Sequence, residues 1–418
     1  MTSADRRVCE GPRHSCLGCD APLPPPFLDL GRTPLANGYV PAERLDGVEE
    51  TFPLTVSHCT RCQLVQLTHL VSPKQLFGHY LYFSSYSETF LGHSRAMADA
   101  LVEALGLGPS SRVLEIASND GYLLQYFQTR GVAVLGVEPA ANVAAHARAR
   151  GIPTLGRFFG LEAVPEVLET FGAADLVVGN NVLAHVPEIN DFLEAVRRCL
   201  RPAGAVVFEF PWVRDMLERI EFDTIYHEHV FYLSLTAVRG LAARAGLEVF
   251  DASVEAVHGG SLRVWLQHPG VRPVRPDVEA ILEAEDATGC ALPARYAHFR
   301  DDVSALRRAL ATLLRDLKSG GHRLAAYGAP AKGSTLLNYV GIGRETLDFV
   351  ADRSPHKQRH YMPGVRVPIV PPSRLLEAMP AYVLLLTWNF ADEILAQQAE
   401  YRQRGGRFII PVPSPRVI

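Results

Sequence analysis

The sequence predicts an α/β protein built from a small N-terminal zinc module and two Rossmann-like domains, and three observations predict it. Two Cys-x-x-Cys pairs fall within the first 62 residues, in a stretch rich in proline and short turn signals. Four apolar runs, SRVLEIA, VAVLGVE, ADLVVGN and GAVVFEF, then alternate with helix-length segments, the pattern of buried parallel strands joined by crossover helices. The rhythm resumes after a long helical pattern, in HRLAAYGAPAKG, LDFVADRS and AYVLLLTWN. Both sheets are expected to be doubly wound.

At 418 residues the chain exceeds one ordinary core, and about three domains of typical size account for it. The divisions fall at residues 1–85, 86–270 and 271–418, with helices from Met97 to Leu107 and in one pattern from Asp277 to Lys318. Hydrophobic residues make up 48% and charged residues 21%, the balance of a soluble globular protein. The net charge is −4, without a Lys/Arg block of the kind that grips a phosphate backbone, so nucleic acid is not an expected partner. No run approaches the roughly 20 apolar residues of a membrane span, and the N-terminus lacks an apolar run behind its basic residues. A cytoplasmic protein, monomeric or weakly dimeric and without a membrane partner, is the expectation.

Cysteine spacing is the most specific signal. Cys16 and Cys19, with Cys59 and Cys62, form two knuckles able to present four thiolates to one tetrahedral Zn²⁺. Four thiolates leave no open coordination position, so the metal is expected to be structural. Cys9, His14 and His58 lie nearby and are read as bystanders.

The first apolar run enters a turn of small residues, Glu115-Ile-Ala117-Ser-Asn119-Asp120-Gly121, before a helical pattern. Strand-to-helix junctions of this kind are where nucleotide-like ligands dock. Glycine supplies conformational freedom there, and Asn and Asp tolerate left-handed geometry. Glu138, ending the next run, is placed to accept from two ribose hydroxyls. Asn180 and Asn181 end the run ADLVVGN, where a ligand at the switch point would lie. Three further positions remain open in the residues alone: His185 contacts a ligand or satisfies a loop carbonyl, His258 and Arg263 in HGGSLR meet a diphosphate or Arg263 forms an ordinary ion pair, and Tyr80, Tyr82 and Tyr86 stack on a ligand or fill a core. Lys332, in the GAPAKGS loop, is read as phosphate-binding, although the loop lacks the spacing of a Walker motif.

Taken together, the CxxC pairs, PLAN at 34–37, YLYFSSYS at 80–87, EIASNDGYLL, NNVLAHVP, EFDTIYHEH at 221–229, HGGSLR, YGAPAKG and PGVRVPI resemble the sugar C-methyltransferases of antibiotic deoxysugar pathways. The resemblance covers nearly the whole chain. It implies a central class I methyltransferase domain that binds S-adenosylmethionine, in which Glu115, read from its place in the strand as orienting the loop, would also orient the methionine ammonium, and a C-terminal domain that helps bind a dTDP-linked keto sugar. It also implies methylation of the carbon beside the ketone, most often C3. Within Tyr226-His227-Glu228-His229, the resemblance makes His229 the base, with Tyr226 and Glu228 orienting it or stabilising an enolate and His227 lining the sugar site. Imidazole suits removal of a proton alpha to a carbonyl, because it titrates nearest working pH. Sugar O-methylation, or a zinc-organised binding protein without catalysis, are the alternatives.

Overall fold

The structure, a computed structural model, describes residues 10–77, 84–86, 88–255 and 260–418. The central domain is a seven-stranded sheet in the order Thr154–Leu155, Ala133–Val137, Arg112–Ile116, Ala174–Asn180, Leu200–Pro211, Ser261–Gln267, Glu248–Glu255. The first five strands are parallel, whereas Ser261–Gln267 runs antiparallel to both its neighbours. Val113, Leu114, Val177, Val178, Val206 and Val207 are all fully buried. Helices cover both faces of such a sheet, which is why these strands read as unbroken apolar runs. Strand order reverses between Arg112–Ile116 and Ala174–Asn180, creating a crevice at their carboxyl ends.

The C-terminal domain repeats the plan with Ile369–Val370, Val350–Ala351, Leu324–Tyr327, Tyr382–Leu385 and Arg407–Ile410 in parallel, and Arg416–Val417 antiparallel at the edge. The long helical pattern before it proves to be two helices, Pro276–Thr288 and Pro293–Ser319. Gly289 ends the first in the left-handed region at φ +77°, and Pro293 opens the second, where its missing N–H costs nothing.

The N-terminal module is a four-stranded antiparallel sheet of Leu28–Thr33, Phe52–His58, Val65–Leu67 and, unexpectedly, Phe231–Tyr232 from the central domain. Between its first two strands the chain leaves the module to reach the C-terminal domain. Val40–Pro41 pairs with His360–Tyr361, the Tyr39 hydroxyl donates to the Ala329 carbonyl at 2.6 Å, and the Ser334 hydroxyl donates to the Ala36 carbonyl at 2.8 Å. Arg366 meets the Glu49 carboxylate at 3.0 Å and the Leu45 and Gly47 carbonyls. All three units thus share one junction. No helix among the described residues is long and apolar enough to cross a membrane.

A buried carboxylate ties the helical connection to the central domain. Glu285 accepts from the Trp212 indole at 2.7 Å, the Leu235 and Thr236 amides at 2.6 and 3.0 Å, and the Thr236 hydroxyl at 2.7 Å. Two of these donors open the helix Leu235–Arg244, whose first N–H groups have no partner within the helix. Glu285→Ala leaves four donors without their acceptor and is expected to destabilise the central domain by about 3 kcal/mol or more. The check is a lowered temperature of its unfolding transition in calorimetry.

Candidate active site and zinc centre

The two cysteine knuckles are copies of one turn. The Asp20 N–H donates to the Cys16 carbonyl and the Gln63 N–H to the Cys59 carbonyl, both at 2.8 Å, while the Cys16 and Cys59 amides donate to the Ala21 and Leu64 carbonyls at 2.8 and 2.9 Å. Asp20 and Gln63 both take left-handed φ, at 57° and 63°. The four sulfurs lie within 4.8 Å of one another, with Cys16–Cys62 at 3.5 Å and Cys19–Cys59 at 3.6 Å. Zn–S bonds of about 2.3 Å in a tetrahedron put sulfurs about 3.8 Å apart, so the set fits zinc. Its closed, four-thiolate character makes the metal structural. His58 instead bonds Gln63 and stacks on Tyr296, consistent with its reading as a bystander.

At the crevice of the central sheet, the loop after Arg112–Ile116 alternates into the left-handed region at Ala117 (φ 54°), Asn119 (φ 49°) and Gly121 (φ 78°). At Gly121 a Cβ would also approach Ile152 to 2.7 Å. Asn119 and Asp120 turn toward the preceding segment: Asn119 Oδ1 accepts the Ser84 N–H at 2.9 Å, and Asp120 Oδ2 accepts from the Ser85 hydroxyl. The Glu138 carboxylate accepts the Asn119 and Ala140 amides at 3.0 and 2.8 Å, so it shapes the loop from the next strand. Glu115 lies fully buried beneath the loop, near Tyr122 and Leu124, and burial pushes its carboxyl well above the usual range. Ser118 Oγ, Asp120 Oδ1 and Asn180 Oδ1 are buried without a hydrogen-bond partner. Buried orphans of this kind beside the carboxyl ends of the central strands suit a polar ligand such as adenosylmethionine. Asn180 donates its amide to the Met97 sulfur at 3.4 Å, and Asn181 holds left-handed φ while its N–H donates to the Glu209 carbonyl at 2.7 Å.

Beyond the fifth strand, Tyr226 to His229 form a turn closed by the His229 N–H donating to the Tyr226 carbonyl at 2.9 Å. A four-residue turn brings its first and last side chains together and turns the middle two away. The Tyr226 hydroxyl accordingly lies 2.7 Å from His229 Nε2. His229 Nδ1 is 2.9 Å from the Thr224 carbonyl, which can only accept. Nδ1 therefore carries the proton, and the Nε2 lone pair faces the Tyr226 O–H. His185 stands beside the pair, its ring centroid 4.9 Å from that of His229, and donates through Nδ1 to the Glu228 carbonyl at 2.5 Å. Burial pushes its imidazole down to about 4. Glu228 points to Asn37 of the PLAN segment, whose amide donates to Oε1 at 3.0 Å; its other oxygen is buried without a partner, and desolvation raises its carboxyl.

One expectation is corrected and one open alternative is resolved. His227 does not join the Tyr226–His229 pair: as a middle residue of the turn it packs edge-on against Phe52 and reaches the Pro53 carbonyl at 3.3 Å, on the zinc-module side. Of the two readings open for Arg263, the structure shows the ion pair. Glu209 takes it through two bonds of 3.1 and 2.8 Å, Glu255 approaches at 3.1 Å, and His93 contacts the same Glu209 at 2.7 Å. Lys332 lies over the Trp388 ring at 4.3 Å and donates to Asn389 at 3.2 Å, facing Glu221 and Asp223. Tyr80, Tyr82, His258 and the side chain of Tyr86 lie outside the described residues. Sequence reasoning missed Asp223, which accepts from the Trp388 indole at 2.7 Å, and Thr335, whose hydroxyl donates to the Ile225 carbonyl at 2.9 Å. Only the bare acid in EFDTIYHEH signalled the first, and nothing local signalled the second. Asn37 lay in a motif already noted, without a role.

Glu138→Ala removes the acceptor that shapes the loop after Arg112–Ile116. It is expected to weaken adenosylmethionine binding by about 10- to 150-fold, measured by titration calorimetry. A second expectation follows from His185 and His227, both pushed by burial from 6.5 down to about 4. The folded protein keeps them neutral, and unfolding lets them protonate. Their contribution to stability is intact above pH 6.5 and lost as pH falls toward 4. Denaturant midpoints should fall across that window, and His227→Asn should flatten the fall.

Three family descriptions match the chain in tandem: a zinc binding domain over residues 16–77, a methyltransferase domain over 90–252 and a C-methyltransferase C-terminal domain over 256–413. The C-methyltransferase NovU of Streptomyces niveus is 39% identical over 392 residues, 94% of this chain and 93% of NovU. The ubiquinone biosynthesis O-methyltransferase of Rhizobium etli is 30% identical over 99 residues, 23% of this chain and 39% of its own. Among solved structures, the glycopeptide N-methyltransferase MtfA is 18% identical with a TM-score of 0.33, covering 42% of this chain and 90% of its own. Magnesium protoporphyrin IX methyltransferase of Synechocystis, solved with bound SAM, is 13% identical with a TM-score of 0.32, covering 47% of this chain and 88% of its own. With the three domains matched in that order along this chain and 39% identity to NovU over 94% of it, this chain is an S-adenosylmethionine-dependent C-methyltransferase and belongs to the sugar C-methyltransferase family.

Proposed function

We propose that the protein methylates the carbon beside the ketone, C3, of a dTDP-4-keto-deoxysugar through an enolate made by His229. Residues 1–85 carry the zinc module, 86–270 bind the donor, and 271–418 help hold the sugar nucleotide, with Lys332 near its phosphates. The observation that carries the reading is the Tyr226–His229 pair, with His229 held as the Nδ1–H tautomer by the Thr224 carbonyl. The Nε2 lone pair can take a proton, and the neighbouring O–H can give a hydrogen bond to an oxygen that gains charge. When the ketone oxygen takes the Tyr226 hydrogen bond, Nε2 is released to accept the alpha proton. The C–H electron pair becomes the enolate, and the proton stays on His229 as imidazolium. Adenosylmethionine, when bound, would supply the electrophilic methyl, which passes to the nucleophilic carbon as its bond to sulfur breaks and S-adenosylhomocysteine is left. His185, kept neutral by burial, adds no competing positive charge beside the imidazolium as it forms.

Enolisation can reverse before methyl transfer. In D₂O, with a dTDP-4-keto sugar and S-adenosylhomocysteine, the enzyme is expected to exchange one carbon-bound hydrogen beside the ketone, and His229→Ala is expected to abolish exchange while adenosylmethionine binding survives. Methylation that yields an ether, with no enzyme-dependent deuterium at carbon, would sink the proposal.

A further inference from the structure

One buried residue links the first zinc knuckle, through its side chain, to the strand that follows the His229 turn, through its backbone. Gln66 has no exposure at all, in a strand where an apolar residue would ordinarily sit. A buried amide is costly unless its hydrogen bonds are made. Gln66 Oε1 accepts the Leu17 N–H, inside the first knuckle, at 2.9 Å, and its Nε2 donates to the Leu67 carbonyl at 3.3 Å. Its backbone lies in register with Phe231, two residues beyond His229, and the adjacent Leu67 N–H donates to the Val230 carbonyl at 2.9 Å. From the other side, Asn190 donates to the Leu17 and Gly18 carbonyls at 3.1 and 3.3 Å, and Arg244 donates to the Gly18 carbonyl. A Cβ on Gly18 would approach Leu241 to 2.9 Å, so the knuckle is seated closely against the central domain. The second knuckle differs: Gln63 bonds Thr60 and His58, all within its own turn.

We infer that Gln66 is a positioning residue for His229. The knuckle held through Cys16 and Cys19 fixes the Gln66 amide, the Gln66 strand fixes the register of Phe231–Tyr232, and that register aims the Tyr226–His229 turn. Zinc therefore governs the competence of the site as well as the fold of its module. The catalytic part of this inference rests on His229 acting as base; the structural part does not.

The test compares Gln66→Leu, Gln66→Glu, which keeps an acceptor for the Leu17 N–H, and Gln63→Gly as a control in the other knuckle. Zinc content, adenosylmethionine affinity, kcat and KM are measured, with ¹⁵N NMR of the histidine rings to read the His229 tautomer. Gln66→Leu is expected to keep one zinc per chain and its adenosylmethionine affinity, to lose the fixed Nδ1–H tautomer, and to lose kcat by about 10- to 100-fold with little change in KM. Gln66→Glu should recover most of kcat, and Gln63→Gly should leave tautomer and kcat unchanged. An unaltered His229 tautomer in Gln66→Leu overturns the inference, as does an equal loss in Gln63→Gly. Should Gln66→Leu fail to fold, wild-type enzyme stripped by a chelator decides. The inference requires the tautomer signal to vanish with the zinc while adenosylmethionine still binds, and a signal that survives zinc loss overturns it. A tautomer that responds as expected in a protein inert toward keto sugars upholds the positioning role and removes the proposed substrate instead.

Discussion

The hydrogen bond from the His229 N–H to the Tyr226 carbonyl is the constraint on which the site depends. It closes a turn whose two ends become one chemical unit, the Tyr226 O–H against His229 Nε2, and whose middle residues become anchors. His227 is driven into the zinc module and Glu228 onto Asn37. Backbone carbonyls do the remaining orientation: Thr224 sets the tautomer of His229, and Glu228 sets that of His185. Such positioning matters wherever reacting groups must align, because a misplacement of about 1 Å can cost 100-fold in rate.

No single domain holds that turn. The zinc module pairs with Phe231–Tyr232 just after it, and the C-terminal domain grips Asp223 through Trp388 and Ile225 through Thr335 just before it. The segment 34–49 then ties the module to the C-terminal domain through Ala36, Tyr39 and Glu49. Packing of this kind couples the three units energetically, because buried partners at each contact lose their hydrogen bonds if any unit moves. The loop after Arg112–Ile116 is shaped by Glu138, by its own left-handed residues and by its bonds to Ser84 and Ser85.

Features written in short-range pattern were legible in the sequence. The zinc ligands followed from the spacing of Cys16, Cys19, Cys59 and Cys62, and the strands from apolar runs that the sheet buries on both faces. The long helix was misread as continuous because Gly289 and Pro293 were outweighed by the apolar periodicity around them. Arg263 stayed open between two readings and His227 was misplaced for a different reason: which way a side chain points depends on partners far away in sequence, Glu209 for one and Pro53 for the other. Gln66 and Thr335 carried no signal at all, since a polar residue inside an apolar run acquires meaning only when its buried partner is known.

The central claim is that carbon, not oxygen, receives the methyl group. The most direct measurement incubates the enzyme with a dTDP-4-keto-deoxysugar and adenosylmethionine labelled with ¹³C at the methyl, then reads the product by ¹³C–¹H NMR. The account predicts a labelled methyl bonded to the ring carbon beside the ketone, in the aliphatic region and coupled to that carbon's neighbours. A labelled methyl in the ether region, bonded through oxygen, would contradict it.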